Sequence, residues 1–83
     1  MFVVTKDNKV INFDRCMRAE IHRTGSSMLP CWELRLVATE DNYVAYNGDR
    51  KEVETAFATF CEALAKGASM ISYSEEYMNE GMG

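Results

Sequence analysis

The stretch Trp32-Glu33-Leu34-Arg35-Leu36-Val37-Ala38-Thr39, continuing through Glu40-Asp41-Asn42 into Tyr43-Val44-Ala45-Tyr46-Asn47-Gly48-Asp49, decides the fold. Trp32, Leu34, Leu36 and Ala38 alternate with Glu33, Arg35, Val37 and Thr39, the period of a strand with one face on a core. Glu40-Asp41-Asn42 supplies a turn and Tyr43 to Tyr46 a returning strand, so the unit is antiparallel. Asn47-Gly48 closes it. Asp49 then stands three residues before Glu52, a capping-box variant in which Asp49 accepts from orphan backbone N–H groups and Glu52 reaches back.

A helix is therefore predicted from about Arg50 to Lys66, with Lys66-Gly67 supplying a cation and a residue tolerant of positive φ at its end. Val53, Phe57, Phe60 and Leu64 recur at i, i+4, i+7 and i+11 and define its inner face. Ala56 and Ala63 widen that face on one side; Ala58, Cys61 and Ala65 widen it on the other. At about 100° per residue the apolar arc is roughly 220° wide, interrupted only by Glu54, more than one sheet covers. Ala58, Cys61 and Ala65 are the expected contact for a second copy of the chain, since small residues let helices approach closely and closed dimers are the commonest oligomers. The competing cover is the chain's own Met70, Ile71, Tyr73 and Tyr77.

Upstream, Phe2-Val3-Val4-Thr5 and Lys9-Val10-Ile11-Asn12-Phe13 flank Asp7-Asn8, which can supply the positive φ of a hairpin turn. From Arg15 to Arg23, Met17, Ala19 and Ile21 alternate with Arg18, Glu20 and His22, which favours a strand with one wet face; a helix capped by Asp14 and stopped by Gly25 is the rival. Thr24 to Cys31 holds the single proline and a Gly-Ser-Ser cluster and reads as a surface loop. Downstream, Met70, Ile71 and Tyr73 fit a strand, and Ser72 with Glu75 fits the cap of a short helix through Glu80; both stay open. The expectation is an α+β domain over 1–74, an antiparallel β-meander of about four strands covered on one face by one amphipathic helix, with a mobile acidic tail over 75–83.

Eighty-three residues leave room for one core, burying roughly 60 to 65% of the surface an unfolded chain exposes. Nine Lys and Arg against thirteen Asp and Glu give a net charge of −4, which predicts no general attraction to nucleic acid or anionic lipid. No apolar run approaches a membrane span and Met1 to Val4 are too few for a signal-peptide core, so a cytoplasmic protein with no membrane partner is expected. Cys16, Cys31 and Cys61 are odd in number and widely spaced, which predicts reduced thiols.

Residues that carry chemistry are sparse. His22 is the single histidine and falls on the wet face beside Arg18 and Glu20. With Cys16, Cys31 and Cys61 it would nominally make a zinc set, but structural zinc ligands come in closely spaced pairs and these do not. Glu40 and Asp41 are adjacent in a turn and point apart. Thr24-Gly25-Ser26-Ser27 lacks the lysine and the following helix of a phosphate loop. Trp32, Tyr43 and Tyr46 with Arg18 and Arg35 would suit stacking of single-stranded nucleic acid, but Trp32 shares its parity with Leu34 and Leu36 and so belongs to the core or its rim.

K-V-I-N-F-D-R-C-M-R-A-E-I (Lys9 to Ile21), and Tyr46-Asn47-Gly48-Asp49 leading into K-E-V-E-T-A-F-A-T-F-C-E-A-L-A-K-G, resemble short uncharacterised proteins of Gram-positive bacteria and their phages. The resemblance implies an antiparallel sheet plus one helix and supports the strand reading of Arg15 to Arg23. Its motifs are structural, so it implies no activity and no functional residues. The resulting expectation is a small non-catalytic interaction module, self-associating, encoded by a phage or mobile element, with no catalytic, metal or cofactor residues and a further protein partner allowed. The alternative is a small-molecule or nucleotide-binding protein with its site at the 25–31 loop (Gly25 to Cys31) or at a subunit interface.

Overall fold

The computed structural model describes residues 1–75; the remainder of the predicted acidic tail lies outside the described residues. The chain is α+β, with two three-stranded sheets and one helix in place of a single four-stranded meander. Strand β1 (Phe2–Val4) pairs antiparallel with β2 (Val10–Asn12) across a turn in which Asn8 has φ 67°, the left-handed conformation expected there. A short 3-10 turn at Phe13–Arg15 then swings the chain out of that sheet. The second sheet is the antiparallel meander of β3 (Cys16–Gly25), β4 (Pro30–Ala38) and β5 (Asn42–Gly48).

Helix α1 (Arg50–Ala65) follows, its capping box complete: the Glu52 N–H donates to Asp49 Oδ1 at 2.8 Å and the Asp49 N–H donates to Glu52 Oε1 at 3.2 Å. After Gly67, at φ 70°, strand β6 (Met70–Ser72) returns and pairs parallel with β1, Phe2 opposite Met70 and Val3 opposite Ile71. The hairpin and the tail thus form a mixed sheet of order β2-β1-β6, in which Met70–Ser72 is a strand; the short helix that Ser72 with Glu75 would cap lies, beyond Glu75, outside the described residues. The two sheets meet where the Lys6 N–H donates to the Ala45 carbonyl at 2.8 Å.

Two bulges correct the simple alternation. Cys16 lies opposite Ala38 and Arg18 opposite Val37, so Met17 is an extra residue and is 66% exposed, while Cys16 and Ala19 pack on the core. Likewise Leu34 lies opposite Tyr46 and Arg35 opposite Val44, leaving Ala45 extra, so that Tyr43 and Tyr46, three residues apart, both turn to the core. The loop predicted over Thr24 to Cys31 contracts to Ser26–Leu29, because the strands run on through the Gly25–Pro30 pair.

The core consists of Val3, Leu34, Leu36, Ala45, Val53, Ala56, Phe60 and Tyr73, with Phe13 meeting Phe60 edge-on at 4.8 Å between ring centroids. The helix is rotated from its predicted inner face. Val53, Ala56 and Phe60 are buried, Phe57 is half-buried, and Leu64 is 44% exposed. Tyr73 is the cause: its ring packs into the core and its hydroxyl donates to the Ala56 carbonyl at 2.7 Å, drawing the alanine side of the helix inward. Phe60→Ala should therefore cost about 3 to 5 kcal/mol, and Leu64→Ala should cost less than about 1 kcal/mol, in denaturant unfolding. Asp49→Ala should lower stability by about 1 kcal/mol in the same assay through loss of the cap.

Candidate interaction surfaces

On α1 the buried line Val53, Ala56, Phe60 leaves a flank more than a third of a turn away that carries Ala58, Cys61 and Ala65, all exposed, with Leu64 and Phe57 between it and the core. Burial of the opposite flank explains why this one is open. Tyr73 lies under Ala56, and Tyr46, Thr55, Thr59 and Ser72 line a shallow cleft with it on that side. The described part of the tail therefore covers the flank away from Ala58, Cys61 and Ala65. Glu54 interrupts the open flank near its N-terminal end, held against Arg50 at 3.7 Å, and Glu62 stands at its edge against Lys66 at 2.9 Å, both surface pairs of little energetic weight.

The outer face of the meander carries the other predicted polar groups. Arg18, Glu20 and His22 of β3 face Val37, Arg35 and Glu33 of β4, and Arg35 Nη2 donates to Glu33 Oε1 at 2.8 Å. His22 is exposed there, opposite Glu33. Trp32, Tyr43 and Tyr46 pack against the core on the other face, so the aromatic and arginine groups of the notional stacking surface, Arg18 and Arg35, stand on opposite sides of the sheet. A shallow cleft of about 400 Å³ lies between the β1–β2 turn and β5, lined by Lys6, Asp7, Glu33, Val44 and Asn47. Its lysine is already engaged, Nζ donating to the Asn47 carbonyl at 3.0 Å. Glu40 and Asp41 are exposed in the β4–β5 turn.

The three thiols are dispersed: Cys16 is half-buried at the start of β3, Cys31 is exposed near the start of β4, and Cys61 is exposed on the open flank of α1. Among the described residues no three His, Cys, Asp or Glu side chains group as metal ligands. Burial pushes the Cys16 thiol above its ordinary pKa, and burial, followed by the nearby Cys61, raises that of the Tyr73 phenol.

One surface escaped the sequence reading. The loop of 25–31 is convex, the tip of the β3–β4 hairpin, with Met28 88% and Leu29 79% exposed. The available signal was two adjacent large apolar residues between a serine pair and a proline, in a span that turn residues should fill.

No family model, no curated protein and no solved structure matches this chain. Among the described residues no helix is long and apolar enough to cross a membrane.

The placement of the thiols predicts their reactivity. In a thiol-disulfide exchange assay near neutral pH, Cys31 and Cys61 should react rapidly and Cys16 slowly, the slow phase merging with the fast on unfolding.

Proposed function

We propose that this protein is a small non-catalytic interaction module that associates with a second copy of itself through the open flank of α1. The observation that carries this reading is the position of Tyr73, which closes one flank of the helix and leaves the flank bearing Ala58, Cys61 and Ala65 uncovered among the described residues. The flank is suited to its own copy. In an antiparallel helix pair with its two-fold axis at Cys61, Ala58 and Ala65 lie on one side of the seam and Phe57 and Leu64 on the other. Ala58 then meets Ala65 of the second copy, which lets the helices approach closely, and Phe57 meets Leu64 in an apolar contact. The pairing would also remove from water part of Leu64, 44% exposed in the single chain.

The resemblance of Lys9 to Ile21 and of the helix to short proteins of Gram-positive bacteria and their phages supports a bacterial or phage origin for such a module. The rival reading, a small-molecule or nucleotide binder, would show itself as co-purified ligand absorbance or as a large thermal shift with nucleotides.

Sedimentation velocity across a concentration series tests the dimer. The wild type should sediment as a dimer and the Ala58→Arg, Ala65→Glu double variant as a folded monomer; a wild type that stays monomeric at high concentration rejects the reading. Mild oxidation of a Cys16→Ser, Cys31→Ser background should trap a Cys61 to Cys61 disulfide dimer, since the proposed axis brings these sulfurs together.

A further inference from the structure

The residues from Ile21 to Trp32 contain none of the chain's thirteen carboxylates, although the net charge is −4. They form the outer end of the β3–β4 hairpin. Pairing with β5 stops at Trp32 opposite Gly48, so the Thr24–Cys31 and Gly25–Pro30 pairs continue past the sheet as a two-stranded ribbon. At its tip stand Met28 and Leu29, 88% and 79% exposed.

The tip has a defined shape. Gly25 has φ 84°, and a Cβ there would lie 2.6 Å from the Leu29 carbonyl oxygen, so the turn requires glycine. The Leu29 N–H donates to Ser26 Oγ at 3.0 Å. Pro30 opens β4, a position where its missing N–H is tolerated. Behind the tip, Arg23 lies opposite Trp32 across the strands, and the Arg23 and Arg50 guanidinium groups lie 6.0 and 5.3 Å from the centroid of the indole ring; Arg50 also meets Glu54 at 3.7 Å, an exposed pair that a headgroup phosphate would displace. Trp32 is three residue steps of extended chain from Leu29, a distance of about 10 Å. Glu33, next along, turns to the other sheet face and is held by Arg35 at 2.8 Å.

An apolar point with a cationic and aromatic collar about 10 Å behind it reproduces the order of groups met on entering a bilayer from water, acyl boundary deepest and headgroups above. Tryptophan and arginine are the side chains that settle at headgroup level. A protein groove would demand shape complementarity, whereas the tip offers two pliable side chains with no concave frame around them. Duplex DNA would demand more phosphate contacts than two arginines supply on an acidic body.

We propose that the β3–β4 hairpin is a shallow membrane-docking finger: Met28 and Leu29 enter the surface of a bilayer carrying anionic headgroups, while Arg23 and Arg50 pair with those headgroups and Trp32 lies at their level. Attachment is peripheral and reversible, because one short apolar tip and two charges bind weakly. The carboxylates beyond the collar are repelled by the same lipids and hold the molecule tip-first; within the collar Glu54, beside Arg50, is the exception. The net charge, which predicted no lipid attraction, is an average that conceals this local exception.

Trp32 is the only tryptophan and sits in the collar, so its emission reports docking directly. Titration with phosphatidylglycerol-rich vesicles should shift the emission to the blue and carry the protein into the vesicle pellet, with binding weakened by salt. The Met28→Asp, Leu29→Asp double variant, with unchanged circular dichroism, should partition at least about tenfold more weakly. Arg23→Gln and Arg50→Gln should each lose about fivefold and bring phosphatidylglycerol binding toward that seen with pure phosphatidylcholine. The proposal fails if no vesicle binds, if the double variant binds as wild type does, if the arginine variants bind as wild type does, or if duplex DNA shifts the emission and vesicles do not. The Ala58→Arg, Ala65→Glu variant should keep vesicle binding, so loss of the dimer and loss of docking are read separately.

Discussion

The hydrogen bond from the Tyr73 hydroxyl to the Ala56 carbonyl is the contact on which the arrangement of the molecule turns. That carbonyl belongs to a helical turn, so the phenol binds backbone rather than side chain, and only a small residue at position 56 leaves room for the ring. Once made, the contact fixes the helix in rotation and β6 in place at the same time. A buried hydroxyl without its partner costs about 1 to 3 kcal/mol, a large share of the stability of so small a domain. The rotation thus fixed decides which helical side chains face the two sheets and which face outward.

Much of the fold follows from local pattern. The alternation from Trp32 to Ala38, the turn at Glu40 to Asn42, the Asp49–Glu52 box and the Asp7-Asn8 turn each specify their element through short-range chemistry, and each is found in place. What could not be read arises from non-local contact. The mixed sheet joins Phe2 to Met70, a pairing that no window of neighbouring residues contains. Leu64 belongs to the same helical period as Phe57 and Phe60, yet the choice between its side of the helix and that of Ala56 was made by Tyr73.

The bulges were legible in principle. Cys16 with Ala19 and Tyr43 with Tyr46 are core-facing residues three apart inside strands, a spacing that strict alternation cannot satisfy and that one inserted residue restores. The small residues Ala58, Cys61 and Ala65 were visible as a flank from helical spacing alone, and they lie exposed where that spacing puts them. The hairpin tip was hidden by its composition, since glycine, serine and proline mark a turn without saying how far it projects. Its length became apparent only once the strands were seen to pair through Gly25 and Pro30.

The mixed sheet has a consequence for the order in which the molecule assembles. The meander joins consecutive strands through turns of a few residues, so its closure costs little chain entropy. The parallel pairing of β1 with β6 must wait until the meander and the helix have brought the two strands together, which makes it the slow, late step of folding and the first to reverse. Reversal releases Tyr73 from Ala56 and leaves the edge of β1 unpaired, with β6 tethered only through the short stretch after Gly67. In that opened state β6 of one chain can make with β1 of another the same pairing it makes with its own, and because the short tether favours its own, strand exchange becomes the misassembly of this topology at high concentration.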